Sequence, residues 1–202
     1  VSNSIDLGEW TADETASIDG ETCTSHCTAY FWLVPAKVEG KWQAISWTEA
    51  ARQVASLAES LKEIGLKPGD RVMLVSENRP EWCIADLGIM AAGCVTVPTY
   101  TTNGERDHQH VMEDSGASAI IVSTPKLAQA IMPAALRATR AKHLIGMDEL
   151  RVGQSTGVKV HSWTAMVSKD VDVAACAAAA QFTRDDQACI IYTSGTGGSP
   201  RG

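Results

Sequence analysis

Positive charge is scarce in this sequence. Its 202 residues carry 17 Lys and Arg against 24 Asp and Glu, a formal net charge of −7. A general nucleic-acid binder shows a basic face or stripe, so that class is excluded. Residues 1–36 hold six Asp or Glu and no Lys or Arg, and such a segment repels phosphate and anionic membrane. Long apolar runs are missing as well. The best of them, Leu87 to Pro98, follows Asp86 and is broken by Gly93. It falls short of the roughly 20 residues that a membrane-spanning helix needs. No basic stretch leading into an apolar one opens the sequence, so no secretory signal is read. Internal repeats and long low-complexity linkers are absent too. With 45% hydrophobic and 20% charged residues, the composition is ordinary for a soluble globular protein.

A disulfide framework is also missing. Six cysteines lie at 23, 27, 83, 94, 176 and 189, and the last four sit inside apolar runs, where cysteine behaves as a small hydrophobe. That usage fits a reducing compartment, and a cytoplasmic protein is expected. No metal site is expected either. Cys23, His26 and Cys27 form one cluster and His108 with His110 another, but neither has the second pair that a zinc site needs. His108 and His110 are expected on a solvated helix face, and His143 and His161 as isolated structural residues. Trp47, Trp82 and Trp163 are expected to pack in the core or stack at its edge.

What is present is regular alternation. Residues 1–45 read as an irregular acidic leader. From Ser46, "SWTEAARQVASLAESLKEIG" opens on a capping-box pair, Ser46 and Glu49. It continues with apolar positions Ala50, Val54, Leu57, Leu61 and Ile64 at helical spacing, and Gly65 stops it. "RVMLV" (71–75) is a buried strand. A helix capped by Asn78, with Pro80 in its first turn, ends at Gly93. "CVTVP" is a strand. Asn103 caps a helix to Asp114, "SAIIVS" (118–123) is a strand, and Pro125 starts a helix to about Thr139. "KHLIGM" (142–147) is a strand, "VKVH" (158–161) lies in a less regular stretch, and an alanine-rich helix covers 171–180. "DDQACIIYTS" forms the final strand. Uniformly apolar strands alternating with helices predict a mostly parallel sheet with helices on both faces.

That last strand feeds "YTSGTGGSPRG". In parallel α/β sheets, ligands bind beyond the carboxyl ends of the strands. Glycines at 195, 197, 198 and 202 let the backbone turn several N–H groups toward one point. Thr193, Ser194, Thr196 and Ser199 add hydroxyls, and Arg201 adds a forked cation suited to phosphate. On residue types alone, this is either a polyphosphate nest or an ordinary turn. Gly195-x-Gly197-x-x-Pro200 is not the dinucleotide fingerprint. Gly197 to Gly202 has Walker A spacing without the following Lys-Ser/Thr pair. A P-loop NTPase or phosphotransferase, or a non-catalytic nucleotide-binding module, therefore stays open at this point. Tyr192, at the entry, is either a core ring anchoring the strand or a ligand contact.

The order of residues in "YTSGTGGSPRG" resembles the phosphate loop of the adenylate-forming superfamily, whose usual form is Y-T-S-G-T-T-G-x-P-K-G. The chain departs from it at Gly197, where threonine is usual, and at Arg201, where lysine is. The stretch "LKPGDRVMLVSENRPEWCIADLGIMAAGCVTVPTYTT" (66–102) and "DSGASAIIVS" (114–123) are similar to the N-terminal part of the same family. "PTYTT" is most similar to its long-chain fatty acyl-CoA synthetase branch, where Tyr100 would lie near the substrate side.

The resemblance implies that residues 46–202 are the first part of the large N-terminal AMP-binding domain of such an enzyme, ending in the phosphate loop. It implies activation of a carboxylic acid, a long-chain fatty one by branch, with ATP and Mg2+, and transfer to coenzyme A. Gly195, Gly197 and Gly198 with Thr193, Ser194 and Thr196 would hold phosphate, and Arg201 would act on the departing pyrophosphate. Parts further along the family's chain would carry the adenine, ribose and coenzyme A sites, so the 202 residues alone are expected to be inactive. The small-molecule acid is the expected partner, with room left for peripheral membrane contact.

Overall fold

A computed structural model describes residues 45–150, 157–193 and 201–202 in full, together with the backbone of five short strands before them. Six two-residue strands come first: β1 (Ser17–Ile18), β2 (Glu21–Thr22), β3 (Tyr30–Phe31), β4 (Lys37–Val38), β5 (Lys41–Trp42) and β6 (Ile45–Ser46). They pair antiparallel, β1 with β2, β3 with β6 and β4 with β5.

The body follows as α1 (Trp47–Glu63), β7 (Arg71–Val75), α2 (Pro80–Ala91), β8 (Val95–Pro98), α3 (Glu105–Ser115), β9 (Ala119–Val122), α4 (Pro125–Arg137), β10 (His143–Gly146), β11 (Lys159–Ser162), α5 (Trp163–Val167) and α6 (Val173–Ala179). β7 to β11 form one sheet in the order β11-β10-β9-β7-β8, and every pairing in it is parallel. The predicted sheet is therefore observed. "VKVH", read as irregular, supplies its edge strand β11. Exposed Lys159 and Val160 mark that edge, which is why its pattern lacks the continuous apolar signal of the inner strands.

Side chains alternate between the two faces, as the strand period of two requires. Val72, Leu74, Ile121 and Ile145 pack against Leu57 and Leu61 of α1, Ile84 and Ile89 of α2, and the short helices α5 and α6. Met73, Val75, Ile120, Val122 and Leu144 pack against α3, α4 and Tyr192. The sheet is thus covered on both sides by two separate apolar layers. Two serines buried in the first layer find partners. Ser56 and Ser60 of α1 both donate to the Met166 carbonyl, at 2.8 and 2.9 Å. Arg52 donates to the Val167 carbonyl at 3.1 Å. Those are the end carbonyls of α5, which have no partner within their own helix.

Helix ends follow the sequence with three corrections. Ser46 caps α1 as expected, accepting from the Glu49 N–H at 3.1 Å. The Glu49 carboxylate, however, is gripped by Arg52 at 2.6 and 2.8 Å and by Gln53 at 2.7 Å. The Arg52 hydrogen bond is the main reason its pKa falls to about 2. α2 is capped by the extended backbone of Arg79 rather than by Asn78. Pro80 sits at the first helical position, and proline forces its predecessor out of the helical region. α3 is capped by Gly104, not Asn103, with Asp107 accepting from the Gly104 N–H at 3.1 Å. Gly65 and Gly93 adopt φ of +101° and +78°, the left-handed ends expected of them.

The final strand is shorter than expected. It makes a single parallel bridge, Cys189 beside Thr96, held by Thr96 N–H to Ala188 O at 3.1 Å and Ile190 N–H to Thr96 O at 2.9 Å. Cys189 is exposed, although it stands in an apolar run. Residues 181–189 are exposed throughout, so little packing extends the pairing.

Candidate functional site

The segment beside β8 runs parallel to it, so the chain leaves the sheet at the carboxyl edge through Tyr192 and Thr193. Thr193 then meets Arg201. The N–H of each donates to the carbonyl of the other at 3.2 Å. This antiparallel pair forms a neck at which the two ends of the predicted phosphate loop meet. Thr193 and Arg201 are both exposed. Among the described residues no carboxylate forms an ion pair with the Arg201 guanidinium. Ser194, Gly195, Thr196, Gly197 and Gly198 lie outside the described residues.

Gly202 has a role other than the one its residue type suggests. Its φ lies outside the left-handed region. A Cβ on it would instead fall 2.8 Å from Cε2 and Cζ of Tyr192 and 2.6 Å from Cγ2 of Ile190. Glycine is needed there for close approach. Tyr192 is a core ring, 7% exposed, and its hydroxyl donates to Asp114 Oδ2 at 2.6 Å. Burial and then Asp114 raise the pKa of this phenol, so it stays protonated. The anchoring reading of Tyr192 is the one observed.

A second polar cluster lies at the carboxyl ends of the inner strands. Ser123, just after β9, donates to Glu77 Oε2 at 2.5 Å. Arg79 grips both oxygens of Glu81 at 2.9 and 3.0 Å and reaches Asp148 Oδ1 at 3.0 Å. Burial pushes the Glu81 pKa up, but the Arg79 hydrogen bond, a backbone hydrogen bond and the Arg79 charge together outweigh it and hold the carboxyl below its usual range. The same partners raise Arg79. These contacts brace the β7–α2 turn against the turn after β10. The sequence held the pair Arg79 and Glu81 in "RPEW" but no signal for Asp148, 69 residues away. A cavity of about 350 Å3 lies at the amino ends of the inner strands, between Arg71, Asp114, Gly116 and Arg140. Arg71 there is occupied by the carbonyls of Gly69, Ser115 and Gly116.

Four readings of single residues need correction or placement. His108 is fully buried, not solvated, because it shares one stripe of α3 with Val111, Met112 and Ser115. Among the described residues neither of its ring nitrogens has a partner. His110 is half-buried and meets the Tyr192 ring edge-on at 6.2 Å. His143 and His161 are not isolated: Nδ1 of the first lies 3.0 Å from Nε2 of the second, across β10 and β11. Trp163 is buried, Trp82 half-buried, and Trp47 and Tyr100 exposed. Among the described residues no three His, Cys, Asp or Glu gather as a metal group. Cys23, His26 and Cys27 lie outside them. No described helix is long and apolar enough to cross a membrane.

His108 gives a pH prediction. Burial holds its pKa below the ordinary value of about 6.5, against a weaker pull from Asp107. A folded-state value below the unfolded one means that the stabilisation is complete above about pH 6.5 and is lost as pH falls toward the folded value. His143 and His161 are lowered as well, mainly by burial, and share that window. In His108→Leu the fall in stability below pH 6.5 is expected to be shallower. At pH 7 the variant should match or exceed the parent, since a buried unpartnered polar group costs about 1–3 kcal/mol. Urea denaturation across pH measures this, and an unchanged slope contradicts it.

Residues 22–202 match the family described as AMP-binding enzyme. The chain belongs to that family. The chain is 34% identical over 166 residues to the long-chain-fatty-acid–CoA ligase FadD15 of Mycobacterium tuberculosis, spanning 82% of this chain and 27% of that protein. It is 26% identical to the long-chain-fatty-acid–[acyl-carrier-protein] ligase AEE15 of Arabidopsis thaliana, over 78% of this chain and 23% of the relative. Human ACSBG1, a long-chain-fatty-acid–CoA ligase, is 26% identical over 82% and 23%. This AMP-binding chain thus spans about a quarter of the length of the curated relatives it matches. Among solved structures, the acetoacetyl-CoA synthetase of Streptomyces lividans superimposes with a TM-score of 0.65 at 22% identity, over 79% of this chain and 25% of that one. The anthranilate CoA ligase AuaEII, in complex with anthranoyl-AMP, gives 0.61 at 19%, over 78% and 29%. The sheet and its helices are therefore those of an AMP-binding enzyme, and the Walker-type alternative finds no support.

Proposed function

We propose that this chain supplies the phosphate-holding part of an AMP-forming acyl-CoA synthetase acting on a long-chain fatty acid. The observation that carries the reading is the Thr193–Arg201 neck at the carboxyl edge of the sheet, with a guanidinium beside it that no described carboxylate pairs with, in a chain of the AMP-binding family. In the reaction a fatty carboxylate attacks the α-phosphate of ATP, forming an acyl-adenylate and releasing pyrophosphate. The thiol of coenzyme A then attacks the acyl carbon, and AMP leaves. An anion must approach a polyanion, so donors fixed before the reaction do most of the catalytic work. Backbone N–H groups of Gly195, Thr196, Gly197 and Gly198 would hold the β- and γ-phosphates. Hydroxyls of Thr193, Ser194 and Thr196 would add to them, and Arg201 would draw charge from the departing pyrophosphate.

Magnesium belongs to this proposal only as the ion that accompanies ATP. The described residues offer no cluster to hold it, and no step is assigned to it. The acid class rests on the names of the relatives. Two are ligases to coenzyme A and one to acyl carrier protein, so the adenylation half-reaction is the common ground. Acid-dependent exchange between ATP and labelled pyrophosphate reads that half alone. The protein expressed from its complete reading frame is expected to exchange with palmitate and far less with benzoate. No exchange with any acid would sink the proposal, and faster exchange with benzoate would remove the fatty-acid assignment.

A further inference from the structure

Helix α3 meets Tyr192, the residue that leads into the phosphate-loop neck, through Asp114 and His110. Tyr192 is the residue immediately before the Thr193–Arg201 pair. Its ring lies in the core with α3 and α4, and the backbone of Gly202 is pressed so close to the ring that no Cβ fits there. The residues on both sides of the neck, 192 and 202, thus meet at one aromatic ring. What fixes the ring along its own axis is its hydroxyl, bonded to Asp114 at 2.6 Å. Asp114 itself is exposed and stands near the carboxyl end of α3, where a carboxylate gains nothing from the helix dipole. His110, one helical turn earlier, meets the same ring edge-on with an interplanar angle of 86°.

We propose that Asp114 is a positioning residue for adenylation: through the Tyr192 hydroxyl it sets where the Thr193–Arg201 neck stands, and so where Arg201 points. The inference rests on the phosphate-loop reading above. Asp114 touches neither ATP nor acid, and its effect passes entirely through Tyr192. A hydrogen bond to a charged acceptor is among the stronger kind. Displacement of a catalytic group by about 1 Å can cost on the order of a hundredfold in rate.

The test uses the protein from its complete reading frame and three variants: Asp114→Ala, Asp114→Asn and Tyr192→Phe. Pyrophosphate exchange is followed with ATP and with palmitate as the varied substrates, alongside hydrogen exchange at the Thr193 and Arg201 amides. Asp114→Ala and Tyr192→Phe are each expected to lower kcat about 10- to 100-fold, with KM for palmitate within about twofold. Both should speed exchange at the two neck amides. Asp114→Asn, whose amide oxygen still accepts from the phenol, should recover to within about threefold of the parent. The double variant Asp114→Ala, Tyr192→Phe should be no slower than either single one, because both remove the same bond. Tyr192→Phe is nearly isosteric, so a well-folded variant is available even if Asp114→Ala is not. Unchanged kcat in a variant whose neck amides exchange faster overturns the positioning role and leaves the phosphate reading intact. Multiplicative losses in the double variant overturn it too. A parent protein that exchanges no pyrophosphate overturns the phosphate reading, and this inference with it.

Discussion

Replacing Arg201 with alanine is expected to slow acid-dependent pyrophosphate exchange by about 10²–10³-fold, the usual loss when one preorganised donor to developing charge is removed. The side chain is suited to that role because nothing in the described protein uses it. It is exposed, and no described carboxylate forms an ion pair with it. The backbone of the same residue is committed elsewhere, since its N–H and carbonyl both bond to Thr193. Truncating the side chain leaves those two bonds in place, so chemistry and stability separate. Exposed substitutions of this kind usually stay within about 0.5 kcal/mol, and the thermal midpoint is expected to hold. Arg201→Lys, which keeps the charge and loses the fork, should fall between parent and alanine. Parallel exchange assays and melting curves decide the matter. An alanine variant exchanging at the parent rate removes Arg201 from the reaction.

Much of the fold was legible because the inner strands are buried on both faces. "RVMLV", "AIIV" and "HLIG" sit between helices with apolar stripes, and such runs admit few alternatives. Glycines at 65 and 93 also signalled helix ends, since φ at both requires them. The failures are local and have local causes. Asn78 and Asn103 are good capping types, but the proline at 80 and the side chain of Asp107 moved each cap one residue onward. β11 escaped notice because an edge strand is covered on fewer sides and its sequence, "KVHS", is half polar.

The site was legible in part. Residue order pointed to a phosphate loop, while the backbone pairing of Thr193 with Arg201 was not read from it. Pairings between distant residues carried no sequence signal. Tyr192 with Asp114 spans 78 positions, Arg79 with Asp148 spans 69, and His143 with His161 spans 18. Each depends on which strands lie side by side, and that order is a property of the whole sheet. His108 was misread for a related reason. A polar residue in a helix is read as solvated unless its neighbours at three and four places onward are apolar and buried. Val111 and Met112 stand at those places, so the stripe was present but outweighed by residue type.

The largest expected stability effect lies where α1 crosses α2. A Cβ on Gly88 would fall 2.6 Å from Cδ2, 3.0 Å from Cγ and 3.1 Å from Cβ of Leu57. Leu57 is fully buried, so its side chain has nowhere to swing. Two effects compete in Gly88→Ala. Helix propensity alone would stabilise α2 by about 1 kcal/mol, whereas overpacking a tight core costs about 1–3 kcal/mol. One of the obstructing atoms is the Leu57 Cβ, which moves only with its backbone. Overpacking therefore wins, and a net loss of about 1 kcal/mol is expected. Leu57→Ala, which empties the space, should cost about 2–5 kcal/mol. In the double variant the two closest obstructions, Cδ2 and Cγ, are gone and only the 3.1 Å contact with the Cβ at 57 remains, so most of the propensity gain is recovered. The double variant should thus be more stable than Leu57→Ala alone, although Gly88→Ala by itself is destabilising. A reversal of sign of this kind arises only between residues in contact. Urea unfolding of the four proteins measures it, and simple addition of the two single losses would mean that α1 and α2 do not meet through Leu57 and Gly88.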